Sequence, residues 1–174
     1  YEHCRPGPFA QAAVEARPDV RCWTTPPLAA ELDVTGPVVV ELYVSSTAPD
    51  TDFVARLCLV NKAGQSYNIT EGILRTALRH GVHEPPTLMN PGEVVCLRIQ
   101  LEATSLICQP GERLRLQITS SGFPLWAANP NTGEEPALAV RTQVATQTIY
   151  QGPGMASRLL LPVLPAAGQG APNS

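Results

Sequence analysis

Along much of this chain apolar residues recur at every second position. Val38, Val40, Leu42 and Val44 share one face, with Val39, Glu41, Tyr43 and Ser45 on the other. Phe53, Ala55, Leu57 and Leu59 repeat the pattern with Arg56 opposite. Val95, Leu97, Ile99 and Leu101 alternate with Cys96, Arg98 and Gln100, and Leu114, Leu116 and Ile118 with Arg113, Arg115 and Gln117. A period of two is the strand period, and one apolar face per strand marks antiparallel sheets lying on a core. Further strands are expected over residues 19–25, 73–79, 140–150 and 157–163. The only helical stretch is a short one over residues 9–17, stopped by Pro18. Without crossover helices a parallel βαβ sheet is excluded. The chain therefore reads as all-β, a jelly-roll β-sandwich of two antiparallel sheets.

The length of 174 residues suits one substantial core. Residues 1–17 read as a connecting segment, 18–164 as the sandwich, and 165–174, made of Pro, Ala, Gly, Gln, Asn and Ser, as a disordered tail. Tyr1 in place of methionine suggests a piece excised from a larger protein. The net charge of −3 and the single lysine, Lys62, give no basic patch for nucleic acid or an anionic membrane. The longest apolar runs, such as 159–164, fall far short of the ~20 residues of a membrane-spanning helix. Cys4, Cys22, Cys58, Cys96 and Cys108 are widely spaced and form no C-x-x-C. They read as reduced packing residues, which favours the cytoplasm. The sequon Asn68-Ile69-Thr70 is a triplet common by chance.

Candidate chemistry is sparse. Gly64-Gln65-Ser66-Tyr67-Asn68 approaches a nucleophile elbow but lacks the second glycine and a following helix, so Ser66 reads as a loop serine. His3 lies in the terminus. His80 and His83 flank Gly81-Val82, with Glu84 as the only nearby third ligand, and read as a solvated loop. Asp50 and Asp52 precede a strand and read as a turn, with a loop cation site as the alternative role; Glu134-Glu135, in a loop after a glycine, offers the same alternative. No catalytic residue, metal site or cofactor motif is expected. One region looks built for contact: Phe123-Pro124-Leu125-Trp126 is apolar and aromatic, and Asn129-Pro130-Asn131 follows in a turn-rich loop. Its aromatics either pack over the end of the sandwich or dock onto a partner; on the second reading Phe123, Trp126, Asn129 and Asn131 are the candidate interface.

Several segments, in order, resemble one family. They include Gly7-Pro8-Phe9, Arg17-Pro18-Asp19-Val20, Thr24-Thr25-Pro26-Pro27-Leu28 and Val34-Thr35-Gly36-Pro37. Ala48-Pro49-Asp50-Thr51-Asp52-Phe53, Asn68-Ile69-Thr70-Glu71-Gly72, Asn129-Pro130-Asn131-Thr132-Gly133 and Ser157-Arg158-Leu159-Leu160-Leu161 continue the match. The chain is similar to the C-terminal domain of X-Pro dipeptidyl-peptidases, cocaine-esterase-like (CocE/NonD) hydrolases and α-amino-acid ester hydrolases. That resemblance implies a galactose-binding-like jelly roll packed on an α/β-hydrolase catalytic domain of the same parent chain. The serine, aspartate and histidine of the triad would lie in that domain. A homo-oligomer is left open as a further partnership. The sequence departs from the pattern at Gly122, where the family often has asparagine, and at Leu125, where it often has arginine. The rival reading is a free-standing carbohydrate-binding module using Trp126 with Asn129 and Asn131.

Overall fold

The computed structural model describes residues 7–135 and 137–165. The first six residues, with His3 and Cys4, and all but the first residue of the expected tail lie outside the described residues. Among the described residues eleven strands and one short helix, α1 (Ala12–Glu15), follow in order: β1 (Arg21–Thr24), β2 (Leu32–Gly36), β3 (Val39–Ser46), β4 (Asp52–Val60), β5 (Ser66–Arg75), β6 (Val95–Gln100), β7 (Thr104–Cys108), β8 (Arg113–Thr119), β9 (Gln147–Tyr150), β10 (Arg158–Leu160) and β11 (Val163–Leu164). Every pairing is antiparallel.

One layer has the order β1-β8-β4-β5. The other layer is built from three bent strands. β2 runs into β3, β6 into β7 and β10 into β11, so β2-β3 is flanked along its length by β6-β7 and β10-β11. Leu101 N–H donating to Val38 O and Thr35 N–H donating to Pro162 O carry the ladder through the bend at Gly36-Pro37. β9 takes the place of β10 beside the far end of β3. Where the two meet, the Ser157 hydroxyl accepts from Tyr43 N–H and donates to Tyr150 O, closing the gap in the ladder.

The inward faces are those that the alternation picks out. Val38, Val40, Leu42, Val44, Leu97 and Ile99 meet Phe53, Ala55, Leu57, Leu114 and Ile118, all nearly inaccessible to solvent. Each such Val, Leu, Ile or Phe contributes about 1.5–3 kcal/mol relative to an exposed position. At one edge the layers nearly touch: a side chain on Gly72 of β5 would lie 2.2 Å from the Gln100 carbonyl oxygen at the end of β6. There the Thr70 hydroxyl also donates to Glu102 O, and Glu102 N–H donates to Glu71 O. At the opposite edge β1 pairs only with β8 and β9 only with β3 among the described residues, and the sandwich stays open.

Several expectations need correction. The strand expected at 73–79 is the end of β5, which begins at Ser66; a single 3-10 turn, Thr76–Leu78, follows it. Ser66 is therefore a buried strand residue, not a loop serine. Of residues 140–150 only Gln147–Tyr150 is strand, and residues 157–163 divide between β10 and β11. β2 and β7 were not anticipated. β4 is buried on both faces rather than one. Its outer face is covered at one end by residues 9–17, where Ala10 bridges Tyr67, Phe9 N–H donates to the Asn68 side chain and Gln11 N–H to Ser66 O. Polar pairs fix this cover: Glu15 to Arg115 and Gln117, and Gln11 to Arg56, which also pairs with Glu71. Cys22 is exposed and Cys96 faces out with Arg98 and Gln100, so neither is a packing residue; Cys58 and Cys108 are.

Candidate functional site

β3 ends and β4 begins around Asp50-Thr51-Asp52, a turn that folds both carboxylates inward. Asp50 and Asp52 are 4% and 2% exposed, a burial that ionised groups tolerate only with full hydrogen bonding. The fold supplies it. Asp50 Oδ1 accepts from the Thr76 hydroxyl at 2.9 Å and from Ala77 N–H at 2.8 Å. Arg75, the last residue of β5 and the ladder partner of Asp52, donates to both Asp52 oxygens at 2.9 and 3.1 Å. Its Nε lies 3.8 Å from Asp50 Oδ2, and the hydrogen bond to Asp52 raises the Arg75 pKa above its ordinary value. The positive charge these carboxylates face is thus a guanidinium.

The remaining donor comes from far along the chain. Asn129 Nδ2 donates to Asp50 Oδ2 at 2.9 Å and to Asp52 Oδ1 at 2.8 Å. Asn129 Oδ1 accepts from Asn131 N–H, and Asn131 Nδ2 donates to Gln143 O at 2.9 Å. Asn131 sits at φ 64°, a left-handed conformation that asparagine adopts more readily than most residues. The structure therefore joins the Asp50–Asp52 turn and the Asn129–Asn131 loop, two candidates that the sequence offered separately. Both asparagine amides are committed to intramolecular bonds.

The loop fixed in this way carries apolar side chains into solvent. Phe123 is 73% exposed, and Leu125, Leu138, Val140 and Val144 are likewise exposed. Trp126 behaves differently. It is half-buried, and its ring lies so close over Gly122 that a side chain there would sit 2.4 Å from Cε3. Gly122 in turn lies beside Val54 on the outer face of β4. Glycine at 122 is what lets the indole lie flat over this end of the sheet. A groove of about 310 Å³ beside the ring is lined by Ile73, Leu74, Leu78 and Val82.

The other candidates are dispersed. His80, His83 and Glu84 are exposed in the loop after the 3-10 turn, and Glu134 and Glu135 are exposed near Arg141. Among the described residues no group of three or more His, Cys, Asp or Glu side chains is placed to hold a metal ion. Burial pushes the thiol of Cys58 up to about 12 and that of Cys108 to about 11, far from a reactive thiolate. Among the described residues no helix is long and apolar enough to cross a membrane.

A bent two-layer sandwich with a buried carboxylate–guanidinium junction and an apolar loop held out from it defines a β-sandwich module. The chain belongs to the family of X-Pro dipeptidyl-peptidase C-terminal non-catalytic domains, whose model matches residues 6–160. Cocaine esterase of Rhodococcus sp. (strain MB1 Bresler) is 37% identical over 163 residues, which cover 91% of this chain and 28% of that protein. Among solved structures, an α-amino acid ester hydrolase superposes with a TM-score of 0.85 at 29% identity, over 90% of this chain and 27% of its own. An aminopeptidase from the marine sediment archaeon Thaumarchaeota archaeon superposes with a TM-score of 0.80 at 26% identity, again over 90% and 27%. The chain thus spans little more than a quarter of the length of these relatives.

Proposed function

We propose that this chain serves as the accessory domain of a serine hydrolase, packing on an α/β-hydrolase catalytic domain of the same parent chain and helping to shape its active-site mouth. The observation that carries this reading is the loop over residues 121–146. It exposes Phe123, Leu125, Leu138, Val140 and Val144 while its backbone is tied through Asn129 to a buried ion pair. Exposed apolar side chains concentrated in one loop mark a surface that another protein covers. A rigid loop gives up less conformational entropy on docking than a mobile one.

In this reading residues 1–17 lead from the hydrolase domain, with 9–17 already laid against β4, residues 18–164 form the sandwich, and the parent acts on a peptide, ester or acyl substrate in the cytoplasm. Relatives described as an esterase, an ester hydrolase and an aminopeptidase, each several times longer than this chain, support that range. The test is to read the gene upstream of the codon for Tyr1. An open frame carrying a G-x-S-x-G elbow with a downstream aspartate and histidine is expected. A start codon directly before Tyr1, with no hydrolase domain, would overturn the proposal.

A further inference from the structure

The open edge of the sandwich is a groove. One wall is β1 with its flanks, residues 19–25, and the other is residues 145–151 together with Ser157, Arg158 and Leu159. Two chambers, of about 250 and about 540 Å³, share Trp23 and Ile149 as a waist. The four strand residues of β1 span roughly 13 Å at ~3.3 Å each. A groove of that length suits an extended chain better than a compact ring.

Among the described residues the β1 wall also offers unused backbone groups. Thr25 N–H donates to Leu114 O at 2.9 Å, which sets the phase of the β1–β8 ladder. Hydrogen-bonded pairs alternate in an antiparallel ladder, so Arg21 and Trp23 bond to β8, while the N–H and C=O of Cys22 and Thr24 point away along the free edge. The smaller chamber is floored by Leu42, Leu114, Leu116 and Leu159 and has room for one aliphatic side chain.

The charge pattern adds a direction. Arg21 lies on the same face of β1 as Trp23, is exposed at the larger chamber, and makes no ion pair or side-chain hydrogen bond among the described residues. The neighbouring Asp19 is already paired with Arg17. At the other end Arg158 is paired with Glu41. One uncompensated positive charge therefore sits at one end of the groove and an apolar chamber at the other.

We infer that this edge receives an extended peptide that adds a strand to β1, placing an aliphatic side chain among Leu42, Leu114, Leu116 and Leu159 and a carboxylate on Arg21. Backbone hydrogen bonds to Cys22 and Thr24 supply affinity, and the two end contacts supply selectivity. The inference does not rest on the proposed docking of the 121–146 loop: only Asn131, Ala145 and Thr146 of that loop reach the larger chamber, and none of its exposed apolar side chains lines either one.

The test uses the 174-residue chain labelled with ¹⁵N, read at the indole N–H of Trp23 and the amides of Cys22 and Thr24. The probes are acetyl-Glu-Thr-Glu-Thr-Leu-Thr-amide and its reversed sequence, since a strand adds in either direction. Saturable shifts at all three groups are expected for one of the two. N-methylation at alternate residues of that peptide should weaken binding about tenfold in one phase and spare it in the other. Arg21→Glu should exchange the preference for glutamates for one for lysines at the same positions, a change that loss of folding would not produce. Absence of saturable shifts overturns the inference, as does equal tolerance of both N-methylation phases. Sedimentation that shows a dimer displaced by the peptide would assign the edge to a second copy and overturn the peptide as occupant.

Discussion

Replacing Asn129 by alanine removes the one side chain that hydrogen-bonds both buried aspartates at 2.8 and 2.9 Å. Asp50 keeps its bonds from Thr76 and Ala77, and Asp52 keeps Arg75, so the junction is weakened rather than abolished. A hydrogen bond to a charged group is worth about 1.5–3 kcal/mol, and here one nitrogen serves two acceptors, which puts the loss at about 2–4 kcal/mol. For a domain of this size that corresponds to a fall in Tm of roughly 5–15 °C. Asn129→Asp should cost more at neutral pH, because it sets a third carboxylate against two others. Like charges raise the folded pKa of such a group. Its neutral-pH deficit against alanine is therefore absent below the unfolded value of about 3.9 and grows as pH rises through the folded one. The assay is urea unfolding followed by circular dichroism at pH 7 and pH 4, with the midpoint read at constant m. An Asn129→Ala shift within about 0.5 kcal/mol of wild type, the range of an ordinary surface change, would refute the role given to this side chain.

Gly72→Ala drives a Cβ to within 2.2 Å of the Gln100 carbonyl, and both partners are backbone. We expect a loss of about 3 kcal/mol or more in the same assay; a neutral substitution would contradict the close approach of β5 and β6. Gly122→Ala should turn the indole of Trp126 off the sheet, seen as a red shift in tryptophan emission, and the shift should vanish in a Gly122→Ala, Trp126→Phe double variant. Titration with a thiol reagent at pH 8 should label Cys96 well ahead of Cys58 and Cys108. Burial raises both thiols above their ordinary value, so the stability they contribute is complete below about pH 9 and declines as pH rises through about 11 and 12, at up to ~1.4 kcal/mol per pH unit for each thiol. Unfolding midpoints that fall no faster above pH 9 than those of Cys58→Ala would contradict that burial.

The strands that form the core were legible because their alternation is regular: Val38 to Val44, Phe53 to Leu59, Val95 to Leu101 and Leu114 to Ile118 all place their apolar set inward. β2 and β7 were not, and for related reasons. β2 is five residues with glycine at its end and proline just beyond, and in β7 the outward Ile107 beside the inward Leu106 breaks the alternation. Residues 73–79 misled because Leu74 and Leu78 continue an apolar spacing through the point where Thr76 leaves the ladder to bond with Asp50 and Thr51. The sequence marked Asp50 and Asp52 as a turn and Asn129 and Asn131 as a loop. Nothing local could show that residues 79 positions apart share hydrogen bonds. The sequence left Phe123 and Trp126 either packed over the end of the sandwich or docked on a partner; the structure divides them, since Gly122 receives the Trp126 ring while Phe123 points to solvent. The departure from the family pattern at Gly122 was the available signal, since a glycine beside an aromatic leaves room for the ring to lie against the backbone.

The most direct test of the docking account is amide hydrogen exchange over residues 121–146, compared between this chain alone and the longer protein with the proposed hydrolase domain. The account predicts slower exchange around Phe123, Leu125, Leu138, Val140 and Val144 in the longer protein, with the core strands unchanged. Unaltered exchange across this loop, with protection appearing on another face of the sandwich, would contradict it.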